Sequence, residues 1–253
     1  MSVNSLPSTF ILLDSIPSSM ANGTGPSAPG TKVPFEAMGI AGCAIIGVSC
    51  LITAIGFTGY AHEGYSMLNH MISELGMSSE SPLAWVFNTG LMAGSVLMMV
   101  FIWGTRFYLP SRLGGLARLL GIVSGIGGFL VGVFPADGNI LAHGLSAMVF
   151  FFGGAVTVVI FSLAIARQQD VRVGKWLSIA GIGVAACFAA FLIDMFAFTP
   201  TFKLTDIDSL EMLATLRPAG FWSMAFLEWL PLIGVLAWLS LAAMDSLVRN
   251  PRR

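Results

Sequence analysis

Six apolar segments, near residues 36–60, 82–108, 115–135, 141–166, 174–199 and 219–244, are each long enough to cross a bilayer. An α-helix rises 1.5 Å per residue and the hydrocarbon core is about 30 Å thick, so about 20 apolar residues make one span. The chain has 253 residues, of which 56% are hydrophobic and only 10% charged. Soluble domains carry roughly 25% charged residues, which excludes a soluble enzyme. The pattern predicts an all-α, polytopic integral membrane protein, a six-transmembrane-helix bundle over 35–245. Prolines support the segment ends: Pro82 and Pro218 stand where the second and sixth helices begin, Pro135 and Pro200 where the third and fifth stop. A proline lacks the N–H that a helix interior needs.

Residues 1–34 are rich in Ser, Pro and Gly and are expected to form a flexible tail. Their apolar patch at Phe10–Leu13 is too short for a secretory signal, so the first helix is expected to direct membrane insertion. Residues 246–253 form a short basic tail. Lys and Arg sort by side: Lys32, Arg106, Arg112, Arg118, Arg167, Arg172, Lys175, Arg249, Arg252 and Arg253 fall on one, Lys203 and Arg217 on the other. Cytoplasmic loops carry the positive excess, so both termini are expected in the cytoplasm, and the Asn22 sequon is discounted. A net charge of −1 without a basic cluster gives no support to nucleic acid as a partner. Cys43, Cys50 and Cys187 lie in apolar runs without a CxxC spacing and read as buried small residues.

The third segment pairs Gly121 with Gly125 and Gly128 with Gly132, a spacing that lets helix backbones approach closely in lipid. It predicts a helix in the bundle centre, or else a face for self-association.

Polar chemistry collects on the side opposite the basic loops. His62, His70 and His143 are there, with Glu63, Glu74, Glu80, Asp137, Asp206, Asp208 and Glu211. Over 64–76, Tyr65, Leu68, Ile72 and Leu75 recur at helical spacing, predicting a short interfacial helix. On it His70 and Glu74 stand one turn apart, aimed either at water or at one shared ion or substrate group. Asp137 and Gly138 suit a tight turn, and His143 lies about a turn below the surface, as a ligand or bonded to a carbonyl of a neighbouring helix. Asp194 and Glu228 are acids inside helices, each costing at least roughly 2.5–3.5 kcal/mol to insert unless given a partner, a proton or a cavity. Glu228 stands about ten residues into the sixth helix, on the order of 15 Å deep, beside Pro231, whose missing N–H opens a polar notch.

These residues assemble into one expected outer cavity. Its histidines and carboxylates, His70, Glu74, Asp137 and His143, suit zinc or another divalent ion, with Glu74, Asp194 and Glu228 as candidate catalytic acids for metal-dependent hydrolysis of lipid. There is no Gly-x-Ser-x-Gly elbow or HExxH motif to specify such a reaction. Two other functions remain open. One is a non-catalytic subunit packed beside other integral membrane proteins, suggested by small loops, 14 Met and 19 Phe. The other is a small-solute or proton-coupled transporter built on Asp194 and Glu228.

The string Ile72-Ser73-Glu74-Leu75-Gly76, then Pro82, Phe87-Asn88-x-Gly90, Gly132-x-Phe134-Pro135 and His143-Gly144 resembles the signature of an uncharacterised bacterial and archaeal membrane-protein family, a domain of unknown function. The resemblance runs from about Gly64 through the sixth helix and excludes the tail. It implies a six-helix bundle. That family is distantly similar to the DRAM and Sfk-like membrane proteins, some of which act in lipid and GPI-anchor remodelling. This implies lipid-directed work near His70, Glu74 and His143, with membrane lipids as partners.

Overall fold

In lipid, every backbone N–H and C=O needs an internal partner, which confines an apolar chain of this length to helices. The computed structural model describes residues 35–60, 62–198 and 220–249, and among these all regular structure is helical. The expected N-terminal tail, residues 250–253, and Lys203, Asp206, Asp208, Glu211 and Arg217 lie outside the described residues.

Six helices are long and apolar enough to span a membrane. They are α1 (Phe35–Ile55), α2 (Ala84–Gly104), α3 (Arg112–Val133), α4 (Ile140–Ala166), α5 (Trp176–Ile193) and α6 (Ser223–Arg249). Local chemistry sets their ends. Ser111 Oγ accepts from Gly114 N at 3.1 Å and Asn139 Oδ1 from Ala142 N at 2.9 Å, so α3 and α4 each begin on a side-chain cap. The α1 helix stops at Ile55, short of the expected residue 60, where the chain turns through Gly59 at φ +60°, a left-handed conformation that suits glycine. The α5 helix passes into a π turn at Asp194–Phe198. The α6 helix starts at Ser223 rather than near 219 and runs to Arg249, taking in the first residues of the expected basic tail.

Each helix packs on its neighbours in sequence, and α6 returns to α1, so the six stand in a ring. The axis is lined from every helix, with Ile46, Ser95, Gly125, Val158, Phe188 and Val235 representing α1 to α6. This corrects the expectation for α3, which is part of the ring wall and not its centre. Its glycines bring neighbours close on both sides. A Cβ on Gly127 would lie 2.6 Å from Phe150 N of α4, and one on Gly132 would lie 2.7 Å from Asn88 O of α2. An equally close approach joins α1 to α2, where a Cβ on Gly42 would lie 2.8 Å from the Gly94 carbonyl oxygen. Cys43 and Cys50 are buried free thiols in α1.

The two ends of the ring differ. The α1–α2 and α3–α4 connections form a histidine-bearing end. The other end carries Arg106, Arg112, Arg167, Arg172, Lys175 and Arg249.

Candidate functional site

At the histidine-bearing end the α1–α2 connection folds inward. His70, Glu74, Leu75, Met77, Glu80 and Ser81 are all buried. The expected interfacial helix is absent. A turn at Ser66–His70 is followed by a 3-10 turn over Ile72–Gly76. The helical spacing misleads because the second half of the segment, at Ile72, Glu74, Leu75 and Gly76, is buried in the bundle, and side chains from elsewhere satisfy backbone groups that a continuous helix would pair internally.

The side chains of α6 do most of this. Glu228 Oε2 accepts from Ile72 N at 2.7 Å, and the Ser73 amide donates to the same carboxylate. Glu228 therefore acts as an N-terminal cap for a turn 156 residues away in sequence, the position where a carboxylate is favoured. Beside it, Trp229 Nε1 donates to the Tyr65 hydroxyl at 2.9 Å, and that hydroxyl faces Met71 O at 3.0 Å and His70 O at 3.2 Å. Burial, and secondarily the charge of Glu228, hold the Tyr65 phenol well above its ordinary range. Trp222 N closes the same seam on Leu68 O at 2.8 Å.

Other helices complete the clamp. Asn88 Nδ2 donates to Gly76 O at 2.9 Å, and a Cβ on Gly76 would lie 3.1 Å from Phe87, so that glycine is required by close approach. Asp137 Oδ2 accepts from Ser78 Oγ at 2.8 Å and Ser79 N at 3.2 Å, tying the α3–α4 turn to the connection. Thr58 Oγ1 and the Thr58 and Gly59 amides all donate to Glu80 O.

The residues singled out in the sequence separate into different roles. His70 has Nδ1 2.8 Å from Asn69 Oδ1 and Nε2 3.4 Å from Glu63 Oε1. Glu74 Oε1 accepts from Met71 N at 2.9 Å within its own turn. His143, on α4, has Nδ1 2.9 Å from the Phe134 carbonyl oxygen, so Nδ1 carries the proton and Nε2 is left as an acceptor. Asp194 is buried where α5 becomes the π turn. Among the described residues no group of three or more His, Cys, Asp or Glu is arranged to hold a metal ion. His70, Glu74, Asp137 and His143 are instead spread over four hydrogen-bonded arrangements. Glu228 is the sixth residue of α6, about 8 Å from its start at 1.5 Å per residue, shallower than the expected start near 219 had suggested.

Three polar residues do converge. Ser73 of the 3-10 turn, His143 of α4 and Glu228 of α6 line one cavity whose remaining walls, including Phe87, Leu91, Phe150 and Leu232, are apolar. With His143 Nδ1 on Phe134 O and the Ser73 amide on Glu228, the polar atoms left to offer a ligand are His143 Nε2 and Ser73 Oγ. One is an acceptor, the other both donor and acceptor. The histidine-bearing end has no Lys or Arg among its described residues. The arrangement can thus hydrogen-bond a neutral polar group at the mouth of an apolar space. Sequence reasoning singled out Glu228 and His143, but took Tyr65 only as an apolar helix position and Asn88 only as part of a motif, missing their hydrogen-bonding roles. The adjacency of Trp229 to Glu228 was the one available signal for Tyr65.

Neither the curated proteins nor the solved structures yield a match to this chain. The family model described as a protein of unknown function (DUF998) matches residues 44–245, from α1 to the last turns of α6 and across the whole site, and the chain belongs to that uncharacterised family of proteins.

Proposed function

We propose that this integral membrane protein binds a lipid at the histidine-bearing end, with a neutral, hydrogen-bonding headgroup at Ser73 and His143 and hydrocarbon in the apolar cavity below. The observation that supports it most is the convergence of Ser73, His143 and Glu228, from three segments, on one otherwise apolar cavity. Polar groups inside a bilayer are costly and commonly mark ligand paths. Glu228 does not itself face the ligand with both oxygens, since it holds the turn that presents Ser73. The charge bias of the loops supports an outer-face position for this end. Among the described residues this end carries no Lys or Arg, which favours an ester, glycerol or sugar hydroxyl over a phosphate.

Native mass spectrometry of the protein released from mild detergent tests the reading. Retained lipid should fall at least about ten-fold in a Ser73→Ala, His143→Ala double variant, a difference of roughly 1.4 kcal/mol or more, with the melting transition preserved. Equal lipid retention in wild type and double variant would overturn it.

A further inference from the structure

The cavity at Ser73 and His143 is the first of three that follow one another along the ring axis. It shares Leu91, Gly128, Phe150 and Leu232 with a central cavity. The central cavity in turn shares Ile102, Phe161, Trp238 and Leu239 with a third, which reaches Thr105 and Tyr108 near the basic end. A single face of α6 lines the whole series through Glu228, Leu232, Val235, Leu239 and Ala242. Those positions advance by four, three, four and three residues, the spacing of one helical stripe. From Glu228 to Ala242 the stripe covers fourteen steps, about 21 Å at 1.5 Å per residue.

We propose that these cavities form one axial path for a single extended hydrocarbon chain, entered at Ser73 and His143 and closed near Tyr108. This deepens the lipid reading above and rests on it. The walls are almost wholly apolar, so the path suits methylene groups rather than a solute or an ion. Gly121, Gly125 and Gly128 of α3 line the central cavity, where a Cβ on Gly121 would lie 3.1 Å from Thr157 and one on Gly128 3.2 Å from Ser95 Oγ. The far end is shut by hydrogen bonds, with the Tyr108 hydroxyl on the Glu36 carboxylate and Arg118 Nη1 on Leu109 O at 2.8 Å. A length of about 21 Å exceeds the ~15 Å available to a tail within one leaflet, so a fully extended chain crosses the midplane inside the protein. A blind path of fixed length selects lipids by chain length. It also admits one chain, which favours single-chain lipids or lipids able to separate one tail from the other.

Photolabelling of the full chain in bilayer nanodiscs tests the path, using a hexadecanoyl monoglyceride with a diazirine either next to the glycerol or at the terminal carbon. The expected result is that the first probe labels residues around Ser73 and His143, and the second labels Thr105, Ile165 or Ala242. A Gly128→Leu variant, placed where the first two cavities meet, should weaken hexadecanoyl binding at least ten-fold while leaving an octanoyl monoglyceride within about two-fold. If the head-proximal probe labels the site but the terminal probe labels membrane-facing residues such as Val149 or Ile179, the axial path is overturned and the lipid site stands. If neither probe labels Ser73, His143 or the axis, both readings fall. Should Gly128→Leu fail to fold, the wild-type labelling pattern decides alone.

Discussion

The two ends of the ring solve the same problem, closing a helical bundle at a water interface, with opposite chemistry. At the basic end, Arg106 lies over the rings of Phe35, Trp103 and Phe107 at 5.6, 4.8 and 4.5 Å, and Arg172 Nη1 reaches the exposed Phe107 carbonyl at 3.0 Å. Long cationic side chains snorkel there, and much of the contact is open to solvent. At the histidine-bearing end, Glu228, Trp229, Tyr65, Asn88 and Asp137 bind backbone and hydroxyl groups of an inward-folded connection that is largely buried. The first arrangement anchors a bundle and tolerates change. The second is a fitted structure whose hydrogen bonds come from several elements, and Ser73 and His143 line the cavity beside it.

That contrast can be broken in order of expected effect. Glu228→Leu strips the cap from the Ile72 and Ser73 amides inside the bundle, and two buried donors left unmatched cost about 2–5 kcal/mol. Thermal unfolding in detergent should show a large drop, with Glu228→Gln recovering roughly half because it keeps an acceptor. Gly76→Val forces a side chain against Phe87 and Asn88, an overpacking worth about 1–3 kcal/mol, and should loosen the connection enough to raise its hydrogen exchange.

A smaller loss, about 1 kcal/mol, is expected for Tyr65→Phe, read from the same melting curves. That variant also tests the alkaline limb. With its folded-state pKa raised, Tyr65 contributes stability that is complete below the ordinary tyrosine value of 10.0 and is lost as pH climbs beyond it toward the higher folded-state value. Tyr65→Phe should therefore flatten the fall in stability above pH 10. Asp170→Ala at the basic end removes an ion pair at 3.8 Å to Arg172, in which Asp170 is 85% exposed, and should change stability by less than about 0.5 kcal/mol. Comparable losses at both ends would dissolve the distinction.

The spans were legible because hydropathy alone decides them: α4 at Ile140–Ala166 coincides with its expected range to within a residue. The placement of α3 was not, since Gly121, Gly125, Gly128 and Gly132 announce close approach without saying from how many sides. The 64–76 segment shows the sharper limit. Its apolar period is real, yet the decision between helix and folded-in turn belongs to Glu228 and Trp229, more than 150 residues away. Glu228 was conspicuous as an acid in an apolar helix and proved to be a cap. His143 was legible as one of two alternatives, and its bond to Phe134 O realises the carbonyl-bonded one. Clustering His70, Glu74, Asp137 and His143 by side of the membrane was too coarse, because residues at one end of a bundle still divide among separate hydrogen-bonded networks.

The most direct test of the central claim is electron paramagnetic resonance of a spin-labelled monoglyceride in bilayers, counting the lipid immobilised per protein. Wild type and Arg172→Ala should both hold about one strongly immobilised lipid, and the Ser73→Ala, His143→Ala variant should hold none. Immobilised lipid that persists in the double variant, or that disappears with Arg172→Ala alone, would contradict a lipid site at the histidine-bearing end.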